Sequence, residues 1–217
     1  MTNEPEPALT DEQYRGMYEG FYARAGTDYG AVPWAALRPH PELVVFLGSH
    51  APATPNARAL VVGCGLGDDA EYVAAHGFSV TAFDFSATAI RQAQARFPDS
   101  PVDYRVADLF DLPATWQSAS DLVVEIRTLQ SMPPDRRPAA VAAIAATLAA
   151  GGTLFVHSFG TADTADDITF DGPPWPVTDH QLAGFTDAGL IRTEYRSTAL
   201  SAKAWSFTAV YRWGIRA

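Results

Sequence analysis

The stretch VVGCGLGDD, running from Val61 to Asp69, sets Gly63, Gly65 and Gly67 directly after an apolar run and ends on two adjacent acids. Glycines at that spacing let a strand turn sharply into a helix and let a ligand approach bare backbone. Asp84 closes the next apolar run, 17 residues past Gly67, where a carboxylate can accept both hydroxyls of a ribose. Nicotinamide dinucleotides and S-adenosylmethionine both meet these terms. The end of the turn separates them. A dinucleotide seats its pyrophosphate on the helix N-terminus, where backbone N–H groups favour negative charge. Here Asp68 and Asp69 occupy that place, and Asp68 stands where G-x-G-x-x-G asks for a sixth-position glycine. A carboxylate beside a pyrophosphate costs on the order of 1–4 kcal/mol. S-adenosylmethionine carries an ammonium and a sulfonium instead and tolerates both acids, which also suit helix capping. Asp108, just after the third strand in VADLF, can accept a hydrogen bond from an adenine amino group.

The elements that must position these residues follow from periodicity. Thr10 and Gln13 have the spacing of a capping box, so a helix should run to about Ala25 and stop at Gly26. It carries Tyr14, Tyr18 and Tyr22 on one face. A loop with Pro33-Trp34 and a short helix from Glu42 to about Ser49 come next. From there strands and helices alternate: strand Ala59–Val62, helix Gly67–His76, strand Ser79–Asp84, helix Ser86–Phe97, strand Val102–Ala107, strand Asp121–Glu125, helix Pro134–Ala150 and strand Thr153–Ser158. The glycine pair Gly151-Gly152 should end the last helix. Such alternation makes βαβ units and a largely parallel sheet. A helix opening at Thr178 or Asp179 and two β-rich runs, Ile191–Leu200 and Ala204–Trp213, imply an antiparallel pair at one sheet edge. The whole reads as a single α/β domain over 1–217, with an N-terminal helical lid over 1–50 and a Rossmann-like core over 58–217.

Composition narrows the function. The 217 residues are 47% hydrophobic and 18% charged, which is globular rather than disordered. The formal net charge of −10 opposes bulk binding to nucleic acid, which rests on Lys and Arg. The lone cysteine, Cys64, excludes an internal disulfide; it reads as a small packing residue rather than a nucleophile. His40, His50, His76 and His180 do not cluster at ligand spacing, so no metal site is expected. No run approaches a membrane span, and the N-terminus lacks a signal-peptide pattern, so a soluble cytoplasmic protein, monomer or dimer, is expected.

With these residues in place, the segment over roughly 58–160 resembles the class I S-adenosylmethionine-dependent methyltransferases. Their common acid two residues before the first glycine is replaced here by Val61, leaving Asp68 or Asp69 to meet the methionine amine. A narrower resemblance is to the halide and thiol methyltransferases of the thiopurine S-methyltransferase family. Tyr18 and Tyr22 match that family's aromatic pair by type, although tryptophans are common there, and Trp34 matches its later tryptophan. EIRTLQSMPP is similar to its segment after the fourth strand, which places Arg127 before the substrate, and Gly172-Pro173-Pro174-Trp175 is similar to its closing segment. The resemblance implies a seven-stranded sheet with the last strand antiparallel, and methyl transfer to a small-molecule thiol, with S-adenosylhomocysteine as co-product. Oxygen, nitrogen or halide acceptors, or a non-catalytic cofactor-binding module, are the alternatives. Cofactor contacts are expected at Tyr18, Trp34, Gly63, Cys64, Gly65, Gly67, Asp68, Asp84, Phe85, Ser86, Asp108, Leu109, Phe110 and Glu125. The acceptor pocket is expected at Tyr14, Tyr18, Pro174 and Trp175, with Arg127, His157 and Tyr22 at the reacting atoms.

The chemistry asks little of such residues. Methyl transfer is an in-line displacement that positioning alone accelerates greatly. A thiol near pKa 8.5 is already a few per cent thiolate at neutral pH. A neighbouring arginine lowers that pKa further, a role open to Arg127, which can equally bind a substrate carboxylate or carbonyl, or pair with Glu125 or Asp121. His157 closes a strand and can act as base or as a packing residue. Tyr14, Tyr18, Tyr22, Trp34 and Trp175 can exclude water and face a sulfonium, or simply pack their helix on the sheet.

Overall fold

Thr10 opens the first helix through a reciprocal pair of bonds: its hydroxyl accepts from Gln13 N at 3.2 Å, and Gln13 Oε1 accepts from Thr10 N at 2.9 Å. The structure, a computed structural model, describes residues 10–162, 173–201 and 203–214. Helix α1 spans Asp11–Ala25 and stops at Gly26, whose φ of 55° breaks the helical path. Helix α2, Pro41–Leu47, starts on a proline whose missing N–H costs nothing at a helix N-terminus, and His40 Nδ1 accepts from Glu42 N ahead of it.

The core alternates as the apolar periodicity requires: β1 Arg58–Val62, α3 Asp68–Ala75, β2 Ser79–Asp84, α4 Ala87–Arg96, β3 Asp103–Val106, β4 Ser120–Ile126, α5 Arg137–Ala146, β5 Leu148–Gly160, α6 Asp179–Asp187, β6 Leu190–Ala199 and β7 Trp205–Trp213. The seven strands form one sheet in the order β3-β2-β1-β4-β5-β7-β6. The first five are mutually parallel, and β7 runs antiparallel to both β5 and β6, so the sheet is mixed. Strand order reverses between β1 and β4. In an open α/β sheet that reversal leaves a crevice at the strands' carboxyl ends, where ligands bind. Both sheet faces are covered by apolar clusters. One gathers Val123, Ile144, Leu154, Leu182, Phe185 and Tyr211 under α5 and α6; the other gathers Leu43, Ala70, Val73, Ile90, Val124 and Phe155 under α2, α3 and α4.

One element differs from its sequence pattern. The alanine-rich run to Ala150 predicts a single helix from Pro134, but a 3-10 turn, Pro134–Arg136, leads into α5, which ends at Ala146. Thr147 Oγ1 bonds Ile144 O at 2.7 Å, and β5 begins at Leu148, paired with Ser120. Backbone N–H groups of Ser118, Ala119 and Ser120 take the carbonyls of Ala146 and Thr147. Pairing with β4 therefore outweighs the helix preference of Ala149 and Ala150, which is only a few tenths of a kcal/mol per residue. The glycine pair lies within the strand, where the register shifts between Ser120 and Leu122.

Glycines in two settings make a stability test. Gly67 sits at φ 91°, and a Cβ there would collide with Tyr104 Oη; Gly16 lies within α1 with open space around its would-be Cβ. Gly67→Ala should cost about 2–4 kcal/mol of unfolding free energy in a urea titration. Gly16→Ala should add roughly 0.5–1 kcal/mol.

Candidate active site

Three positive-φ glycines build the turn after β1. Gly63 lies at φ 61° beneath Thr128, whose hydroxyl donates to Val62 O at 3.1 Å and leaves no room for a Cβ. Gly65 at φ 51° faces Tyr22 Oη, and its N–H donates to Asp84 Oδ2 at 3.1 Å. Asp84 Oδ1 accepts from Ser86 N at 2.9 Å, so this buried carboxylate joins the glycine turn to the cap of α4. Burial pushes Asp84 up to about 6, against the pull of those amides. Asp68 is paired on both oxygens with Arg96, at 2.7 and 2.8 Å, and Arg96 also donates to Leu66 O. Asp69 accepts from His40 N at 2.7 Å; burial raises it to about 6.

Two cavities meet at the turn. The smaller, of about 70 Å³, is lined by Tyr14, Arg15, Phe83, Asp108, Leu109, Phe110 and Met132 among others. Asp108 there is ion-paired with Arg15 and accepts from Phe110 N at 3.0 Å. The larger, of about 990 Å³, runs from Gly63, Cys64 and Gly65 past Asp68, Asp69, Asp84 and Phe85 to Arg127, His157, Phe159, Pro173 and Pro174. That volume is at the upper end for small-molecule sites.

Helix α1 and the following loop roof the larger cavity with aromatic rings. Trp34 meets Tyr18, Phe21 and Tyr22 edge-on, with centroids 5.2, 5.3 and 5.5 Å away, and its indole N–H donates to Tyr22 Oη at 3.2 Å. The Tyr14 and Tyr18 hydroxyls both donate to Ser131 O. Glu19 accepts from Ser86 Oγ at 2.5 Å and from Thr88, and Gln92 reaches Tyr22 O and Gly26 O at 2.8 Å each. The roof is thereby tied to the loops leaving β2 and β4. Burial pushes Tyr14 up to about 12 and Tyr18 and Tyr22 well above the ordinary phenol value, so all three stay protonated.

A polar wall closes the far side. Arg127 adopts φ 63°, a left-handed conformation unusual for a residue with a side chain, and its N–H donates to His157 O at 2.8 Å. His157 is buried, with Nδ1 3.0 Å from Thr208 Oγ1, and its ring lies 4.1 Å from that of His40. Burial, and then the neighbouring His40 and Arg127, hold His157 down at about 3. Burial and Arg127 hold His40 at about 4. Both imidazoles are neutral at neutral pH.

The remaining sequence-predicted residues fall in three places. Tyr18, Tyr22, Trp34 and Pro174 line the large cavity; Tyr14, Leu109 and Phe110 line the small one; Phe85 lines both. Gly67, Ser86, Glu125 and Trp175 line neither. Gly67 is the N-cap of α3 and Ser86 that of α4. Glu125 is fully buried, accepting the N–H groups of Thr128 and Leu129 at 2.7 and 2.9 Å, so it shapes the turn after β4 rather than facing a ligand. Trp175 packs on Tyr14 at 6.1 Å and donates its N–H to Gln130 O. Gly172 lies outside the described residues. Asp121 accepts from Arg58 N and Glu125 is buried, so neither pairs with Arg127.

Sequence reasoning missed His40, Arg38, Arg15 and Arg137. His40 carried a signal, as the residue before a helix-opening proline. Arg137 carried none. This buried guanidinium donates to Leu129 O at 3.0 Å, Trp175 O at 2.6 Å, Pro176 O at 3.0 Å and Gln181 Oε1, binding the loop after β4 to the segment after Pro174 and to α6. Desolvation lowers it to about 10, still charged at neutral pH. No group of three or more metal-ligating side chains occurs among the described residues, and no helix among them is long and apolar enough to cross a membrane.

The reversed strand order, the glycine turn and the antiparallel β7 define a Rossmann-like α/β fold of the methyltransferase type. Residues 59–152 match the family described as "Methyltransferase domain". The ubiquinone biosynthesis O-methyltransferase of Xanthomonas campestris pv. campestris is 36% identical over 115 residues, covering 52% of this chain and 47% of that protein. Arabidopsis thaliana "Probable thiol methyltransferase 2" is 31% identical over 153 residues, covering 69% and 64%. The chain thus spans about half the length of the first of these relatives and under two thirds of the second. The crystal structure of the [4+2]-cyclase SpnF superposes with a TM-score of 0.78 over 97% of this chain and 98% of that one, at 16% identity, a likeness of fold alone.

The histidine pair makes a pH prediction. The unfolded chain protonates these imidazoles near 6.5, the folded chain only near 4 and 3. Their contribution to stability is complete above 6.5 and is withdrawn as pH falls through that gap. In NMR, the His40 and His157 rings should keep neutral-imidazole shifts from pH 8 down to 5. His157→Gln should lose less stability than wild type between pH 7 and 5.

Proposed function

We propose that this protein is an S-adenosylmethionine-dependent methyltransferase acting on a small-molecule thiol. The cofactor reading is supported by the charge around the glycine turn. Asp69 and Asp84 line the cavity there, and the arginine beside them, Arg96, is spent on Asp68. A pyrophosphate would meet carboxylates, whereas an ammonium and a sulfonium find partners. With Asp68 committed, Asp69 is the acid for the methionine ammonium. The adenine end fits the small cavity beside Asp108, and Tyr18, Tyr22 and Trp34 face the sulfonium across the large one. The methyltransferase-domain match and the two relatives support the same reading.

The choice of sulfur rests on the weak basicity of the cavity wall. His40 and His157, held at about 4 and 3, are poor acceptors for the proton of a phenol or an ammonium. A thiol reaches the reactive thiolate without that help. The O-methyltransferase relative favours a second reading, an oxygen acceptor on the same geometry. The residues of this chain then act by orienting the acceptor under the aromatic roof and excluding water. The N-terminal 1–50 segment serves as a lid over the 58–217 core.

Calorimetry should show binding of S-adenosylmethionine and S-adenosylhomocysteine, and none of NAD or NADP. Asp69→Asn should weaken donor affinity on the order of 10- to 100-fold, the worth of one charge-assisted contact. Labelled methyl groups should pass to aryl or alkyl thiols in preference to phenols, amines and iodide. Transfer to phenols without transfer to thiols overturns the sulfur assignment and leaves the methyltransferase reading standing.

A further inference from the structure

The large cavity holds positive charge that the methyl donor does not use. Arg38 and Arg127 are the arginines that line it, and neither guanidinium makes a hydrogen bond or ion pair with a described residue. The carboxylates lining the same cavity are engaged: Asp68 with Arg96, Glu42 with Arg196, Asp84 with two backbone amides, and Asp69 with His40 N while it awaits the donor's ammonium. Arg127 is held in place by its own backbone, locked at φ 63° with its N–H on His157 O. Beside it, His40 Nδ1 accepts from Glu42 N, which assigns the imidazole proton to Nε2, and that N–H has no partner among the described residues. Phe159 lines the same cavity, with Tyr18 and Trp34 in its aromatic roof.

We infer that Arg127 and the His40 Nε2–H, aided by Arg38, form a subsite for a carboxylate on the methyl acceptor, so that the substrates are mercapto acids with an apolar or aromatic body rather than neutral thiols. The inference rests on the methyltransferase reading and names the acceptor class within it. A guanidinium presents parallel N–H groups that match a carboxylate's two oxygens, and an N–H from the imidazole adds a third donor. A monoanion suits the site better than a phosphate dianion, because Asp69 and Asp84 line the same cavity and repel the second charge. The roof meanwhile buries the acceptor's body against rings, which strengthens the charge contact by excluding water.

The test compares 4-mercaptobenzoate with its methyl ester, which keeps the thiol and the ring but removes the charge; the ester's stronger electron withdrawal is common to wild type and variants, so it cancels when their acid-to-ester ratios are compared. Affinity is measured by calorimetry on wild-type protein saturated with S-adenosylhomocysteine, and kcat/KM with the labelled donor. The acid should exceed the ester on the order of 10- to 100-fold in both, as expected for a charge-assisted pair. Arg127→Gln should collapse that ratio toward unity, and Arg127→Lys should recover part of it. Equal affinity for acid and ester, no binding of the acid, or a ratio that survives Arg127→Gln overturns the subsite. Absence of heat from the donor and its demethylated product is a separate result that removes the methyltransferase reading itself.

Discussion

Asp84 is the point on which the site turns. One buried carboxylate takes the Gly65 amide on one oxygen and the Ser86 amide on the other, so the loop after β1 and the loop after β2 are a single object. Backbone dipoles stabilise its charge only in part, since burial still leaves it at about 6. The region is short of positive charge before any ligand arrives. A cationic ligand relieves that shortage and a phosphorylated one deepens it. The same bonds explain why the turn has its shape: Gly63, Gly65 and Gly67 all hold positive φ, and Thr128, Tyr22 and Tyr104 fill the space that side chains would need.

Helix α1 depends on that object. It buries Tyr22 and Ala25 against Val32, Leu66 and Ala89, and is fastened further by polar side chains. The Tyr14 and Tyr18 hydroxyls grip Ser131, Glu19 grips Ser86 and Thr88, and Gln92 reaches back to Tyr22 and Gly26. Such contacts are individually modest, about 0.5–1.5 kcal/mol each, and they exchange readily with water.

Much of this was legible in the sequence because the signals were local. The glycine turn, Asp84 at a strand end, the capping box at Thr10 and the alternation of strands and helices all rest on neighbours within a few residues. The end of α5 was not legible, because pairing with β4 decides it and alanine favours helix everywhere. The role of Glu125 was hidden for the same reason: only the folded turn brings the amides of Thr128 and Leu129 onto its carboxylate. Asp68 read as an open acid because Arg96 lies two elements away. The contact between the His40 and His157 rings joins the cap of the second helix to the fifth strand, and no spacing rule connects them.

Arg137 makes the loop after β4 and the segment Trp175–Pro176 one mechanical part. Its guanidinium holds Leu129 of the segment that carries Arg127 and Ser131, and also Trp175 and Pro176, just beyond the Pro173 and Pro174 that line the same cavity. Separating the two segments would strip partners from a buried, charged guanidinium, so they are coupled in position although they lie more than 40 residues apart in the chain.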